Sequence, residues 1–176
     1  MSNARGLRPK PIGGTIGLFF GGLWSFLGAQ ALPQPWQMPV AIVGFVVTFV
    51  LIAMVWRRST LAGPGTGMFG RRAYLAAVVL EVVAIVAASN LLTHYGLQSY
   101  IIPAVGVIVG LHFIGLWVAT GMSRSATPLL WIAGAMVVVS ALSALLPHAY
   151  GGFNPRDAAC GFANALVLWI GASMAV

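Results

Sequence analysis

The sequence predicts an all-α, polytopic integral membrane protein, a bundle of six transmembrane helices. Three observations carry that expectation. Charged side chains make up 6% of the chain, hydrophobic ones 60%, and the mean hydropathy is +0.96, whereas about a quarter of the residues of a soluble domain are charged. Apolar runs of about twenty residues, enough as helix to cross a hydrocarbon core about 30 Å thick, recur along the whole chain. The breaks between them are short, the longest being "RRSTLAGPGTGMFGRR" at 57–72, so residues 1–176 are expected to form a single membrane domain. Lipid-exposed backbone must hydrogen-bond within its own segment, which leaves a helical bundle as the architecture.

The first span, Ile12–Leu32, follows the basic stretch "ARGLRPK". It ends in "AQA" at 29–31, a small-residue pattern also found at signal cleavage sites, but its apolar stretch is longer than the 7–15 residues of a signal h-region, so a permanent helix is expected. Gly14, Gly17, Gly21, Ser25 and Gly28 form a small-residue stripe for close helix packing. The second span, Met38–Trp56, follows "PQPWQ". The third, Ala73–Thr93, contains Glu81, and the fourth, Ser99–Gly121, contains Pro103, the small-residue step Gly106/Gly110, and His112. Pro103 should distort the outer part of its helix, which is tolerated where a neighbour satisfies the freed carbonyl. The fifth span is Pro128–Leu146. The sixth, Pro155–Val176, opens on "GGFNPRDAA", with Asn154 as N-cap, Pro155 at the first position and Asp157 in the first turn, where its charge suits the helix dipole. Arg156 and Asp157 could also pair locally. Trp36, Trp56, Trp117 and Trp131 lie near span ends, as interfacial anchors do.

With the N-terminus in the cytoplasm, Arg5, Arg8, Lys10, Arg57, Arg58, Arg71, Arg72 and Arg124 fall on the cytoplasmic side, leaving only Arg156 of the 9 basic residues outside. This bias predicts N-in, C-in. It also accounts for the net charge of +7 without nucleic acid, apart from some attraction to anionic lipid head groups. The bilayer is the partner composition demands, and the sequence leaves room for a homo-oligomer. The single Cys160 excludes an intramolecular disulfide and is expected to pack as a small residue in the sixth helix. No His/Cys/carboxylate spacing matches a metal site, and nucleophile and haem-ligand spacings are absent as well, so neither a cofactor nor an enzyme is expected.

"GLFFGGLWSFLG" at 17–28 aligns without a gap on "GLHFIGLWVATG" at 110–121, and "RRAYL…AAS" entering the third span can be laid on "PRDAA…GAS" entering the sixth. Two halves of three spans would be inverted relative to each other, the arrangement in which transporters hold substrate near the midplane.

The chain holds only 2 acidic residues, and one of them, Glu81, lies about nine residues into the third span, about 14 Å deep. His112 lies at a similar depth in the fourth, which follows through a short connection. Isolated ionised groups at this depth cost at least about 2.5–3.5 kcal/mol, so the two are expected to partner each other across adjacent antiparallel helices. Ala77, Ala84 and Ala88 flank Glu81 on its face, and Gly115 and Ala119 continue that of His112, marking packed sides. Ser89, Asn90 and Asn164 could extend a polar path outward, so the candidate intramembrane polar site is Glu81, His112, Asn90 and Asn164. His94 and His148 are placed in the outer connections.

The run from Glu81 to Leu116, through Asn90, Pro103, Gly110, His112 and Phe113, resembles a set of small bacterial six-helix membrane proteins whose fourth helix carries Gly-Leu-His-Phe. Members of that set tend to read Pro-Leu after the Phe, where this chain has Ile114-Gly115. The resemblance implies a multi-pass protein of the bacterial cytoplasmic membrane and supports pairing Glu81 with His112; it implies no activity. The function expected is transport or channel-like passage of a small solute, cation or proton. The alternative is a non-transporting subunit that binds lipid or another membrane protein, with the pair as a structural hydrogen bond.

Overall fold

The computed structural model describes residues 12–58 and 72–174, and all of the regular structure among them is helical apart from one isolated bridge between Tyr150 and Phe153. The helices are α1 (Ile12–Gln30), α2 (Gln37–Arg58), α3 (Arg72–His94), α4 (Ile101–Ala119), α5 (Pro128–Ser143) and α6 (Pro155–Met174), with 3-10 turns at Gln98–Tyr100 and Arg124–Ala126 leading into α4 and α5. All 6, counting those turns, are long and apolar enough to cross a membrane. The boundaries follow local chemistry. Gly121 and Met122 take positive φ of 75° and 55° and close α4. Asn154 caps α6, its Oδ1 accepting the Asp157 amide at 3.2 Å. The expected fifth span runs beyond α5, because Leu145 and Leu146 turn back on Leu142 and Ser143 instead of continuing the helix. The expected sixth span ends at Val176, outside the described residues.

Neighbouring helices run antiparallel, as their paired positions show. Gly17, Gly21 and Gly28 of α1 face Ala172, Trp169 and Phe162 of α6, and Gly22 and Ser25 face Thr48 and Gly44 of α2. Ser25 therefore leaves the expected stripe and serves the other neighbour. Gly115 of α4 meets Ala77 of α3, Gly110 meets Val137 of α5, and Gly171 of α6 meets Ile132 of α5. In order of contact the bundle runs α2, α1, α6, α5, α4, α3, with α4 and α2 also touching α6. Helix α3 packs substantially only on α4, and none of its residues is fully buried. Helix α1 packs on α2 and α6 as α4 packs on α5 and α3, the pairings the expected repeat relates, but α5 packs on α6 with no comparable contact between α2 and α3, so the repeat is not shown.

The core gathers on α6, with Cys160, Ala165 and Leu168 against Trp24, Ile132 and Met136. Small and polar residues fill much of the interior, including Ser25, Thr48, Ser140, Ser143 and Asn164, while Phe49, Leu80, Trp131 and Leu145 stand outward at 68–80% exposure. Hydrophobic side chains so exposed all around a bundle need an apolar surrounding, which is what lipid supplies.

Candidate intramembrane polar site

Glu81 lies in the middle of α3 on the stripe that meets α4, together with Ala77, Ala84 and Ala88, all of them half-buried. The small residues let the backbones approach: a Cβ on Gly115 would stand 3.2 Å from that of Ala77. His112 projects into this seam. Its Nδ1 lies 3.4 Å from Glu81 Oε2 and 3.2 Å from the Ala77 carbonyl oxygen. A carbonyl cannot donate, so Nδ1 carries the proton and shares it between Ala77 O and the carboxylate. Nε2 is then the bare nitrogen of the neutral ring. The two side chains are 10% and 19% exposed, which leaves the pair shielded but not sealed. The Phe113 ring stands edge-on to the imidazole at 6.0 Å between centroids.

The other two expected site residues do not join this pair. Asn164 is fully buried where α6 meets α5 and α4, its Nδ2 donating to Ser140 Oγ at 2.9 Å and to Cys160 Sγ at 3.3 Å. Asn90 is exposed near the end of α3, and the Ser89 carbonyl beside it accepts from Thr93 Oγ1 at 2.8 Å. A continuous polar path from Glu81 through Asn90 to Asn164 is therefore corrected: Glu81 and Asn90 share α3, whereas Asn164 stands on α6, which makes no substantial contact with α3. Cys160 is buried in α6 as expected. His94 is exposed against Tyr95, and among the described residues no cluster of three or more His, Cys, Asp or Glu could hold a metal.

A second polar group, which the sequence reading missed, lies at the end of the bundle where α1 ends and α4 and α6 begin. Arg156 does not pair with Asp157. It is 7% exposed, donates from Nε to Leu146 O at 3.0 Å and from Nη1 to Ser99 O at 3.2 Å and Ser99 Oγ at 3.1 Å, and lies 4.1 Å over the Tyr100 ring. The available signal was Ser99, four residues before Pro103, whose carbonyl an α-helix would leave without an amide. Asp157 instead accepts Asn154 Nδ2 at 2.6 Å.

Comparison with family models, with curated proteins and with solved structures found no match. The six long apolar helices and the hydrophobic side chains exposed around them define a class nonetheless, that of multi-pass helical membrane proteins.

Proposed function

We propose that this protein is a small transporter or channel-like protein of a cytoplasmic membrane, passing a proton, a cation or a small solute, with Glu81 as the acceptor and His112 as its switchable partner. The observation that carries this reading is the 3.4 Å approach of the two ionisable side chains in the middle of adjacent helices. Such groups in transmembrane segments serve proton relays and ion pathways. A proton taken up at Nε2 makes an imidazolium neutralised by Glu81, and passing the Nδ1 proton to the carboxylate leaves two neutral groups. Because α3 packs substantially only on α4 among the described residues, a change of charge in that seam acts on the least anchored helix. In proteoliposomes under a pH gradient, the protein is expected to conduct and Glu81→Gln, still folded, to lose flux. Unchanged flux in Glu81→Gln removes the site assignment.

One observation favours a second reading. The pockets of about 410 and 300 Å³ in the described bundle are lined by neither Glu81 nor His112. In a non-transporting subunit that binds lipid or another membrane protein, the pair is a structural contact worth about 1 kcal/mol, and Glu81→Gln and His112→Phe lower bundle stability with no flux to lose.

A further inference from the structure

We propose that the end of the bundle carrying the α1–α2, α3–α4 and α5–α6 connections holds a binding site for a small organic cation, an ammonium group on an apolar body. A pocket of about 410 Å³ opens there, with Leu27, Leu32 and Phe153 among its apolar walls and His148, Asn154 and Asp157 as a polar cluster on one side. None of its lining residues is a lysine or arginine, so Asp157 is the one formal charge at its wall.

Hydrogen bonding leaves that charge unanswered. Asn154 Oδ1 accepts the Asp157 amide, which sets the orientation of the Asn154 side chain and makes its Nδ2 the donor to both Asp157 Oδ2 at 2.6 Å and His148 Nδ1 at 3.2 Å. His148 Nδ1 therefore accepts in this arrangement and supplies no hydrogen bond to Asp157. Arg156 gives its hydrogen bonds to Leu146 and Ser99 and stacks on Tyr100, so it acts on Asp157 only through space. Asp157 Oδ1 is shielded from solvent and has no hydrogen-bond partner among the described residues. A carboxylate hydrogen-bonded by one neutral amide, and the one formal charge at an otherwise apolar and neutral wall, favours a cationic ligand over a neutral or anionic one through its field.

The size of the pocket selects the class. One water occupies about 30 Å³, so a bare inorganic ion leaves most of 410 Å³ unfilled, and the volume falls within the range of small-molecule sites. The apolar walls suit an alkyl or aryl body beside the ammonium. No residue of this site belongs to the Glu81–His112 pair, so it stands or falls separately.

The test is calorimetric titration of the purified full chain with benzylammonium, and with benzyl alcohol as its uncharged analogue. The amine is expected to bind about tenfold or more tightly than the alcohol, and to lose that margin in Asp157→Asn. His148→Lys places a cation on the exposed rim without touching the core and is expected to weaken the amine in the same way, which keeps the test valid if Asp157→Asn fails to fold. Glu81→Gln should bind as the unaltered chain does. Equal affinity for amine and alcohol, amine binding retained in His148→Lys and in a folded Asp157→Asn, or no amine binding at millimolar concentration would each overturn the proposal.

Discussion

The Arg156 guanidinium supplies the donor that Pro103 lacks. Ser99 O looks along the chain toward residue 103, where a proline has no amide proton, and it receives Arg156 Nη1 at 3.2 Å instead. Through the further bond to Leu146 O, the same side chain ties the start of α6 to the end of α5 and the entry of α4. Arg156→Ala leaves two carbonyls without a donor and is expected to destabilise the bundle by about 3 kcal/mol or more, measured by denaturant titration in detergent; Arg156→Lys should recover only part, since an ammonium cannot reproduce the fork. The local Arg156–Asp157 pair suggested by the sequence fails because successive helical residues point about 100° apart: Arg156 turns inward while Asp157 turns to Asn154. Glu81 and His112 were legible because depth along two connected antiparallel helices can be counted from the sequence. Asn90 and Asn164 were misjoined for the complementary reason, that depth says nothing of which helices touch.

Between elements, the α1–α6 crossing is the tightest. A Cβ on Gly161 would run into the Gly28 backbone, 2.5 Å from its Cα, and stand 2.8 Å from Trp24 O. Neither obstacle is a flexible side-chain end, so Gly161→Ala must move a whole helix and is expected to cost about 1–3 kcal/mol. Gly134→Ala is the matched control, since a Cβ there meets nothing within 4 Å and alanine favours the helix. The two variants should move the denaturation midpoint in opposite directions; equal shifts would mean that the crossing is looser than its geometry. Span positions were legible because hydropathy and length dictate them, to within about three residues at most described ends. The small-residue stripe of α1 marked a packed face but not its partners, which is why Ser25 belongs with Gly44 of α2 and its glycine neighbours with α6.

Across the whole molecule, charge is divided between the two ends. Antiparallel packing brings Arg57, Arg58, Arg72 and Arg124 to one end of the described bundle and leaves Arg156 at the other; Arg5, Arg8, Lys10 and Arg71 lie outside the described residues. Arginine and lysine resist translocation, so the Arg-rich end is expected in the cytoplasm and the amine pocket on the opposite side. The chain offers a direct way to read this, because its only cysteine is buried and silent toward a bulky reagent. Thr127 and His148 are both exposed, in the α4–α5 and α5–α6 connections at opposite ends. In intact cells, a membrane-impermeant maleimide should label His148→Cys and spare Thr127→Cys, and inverted vesicles should reverse the pattern. The opposite result would turn the bundle over, placing its basic end outside and the pocket toward the cytoplasm, and a cation drawn to Asp157 would then be a ligand of the cell interior.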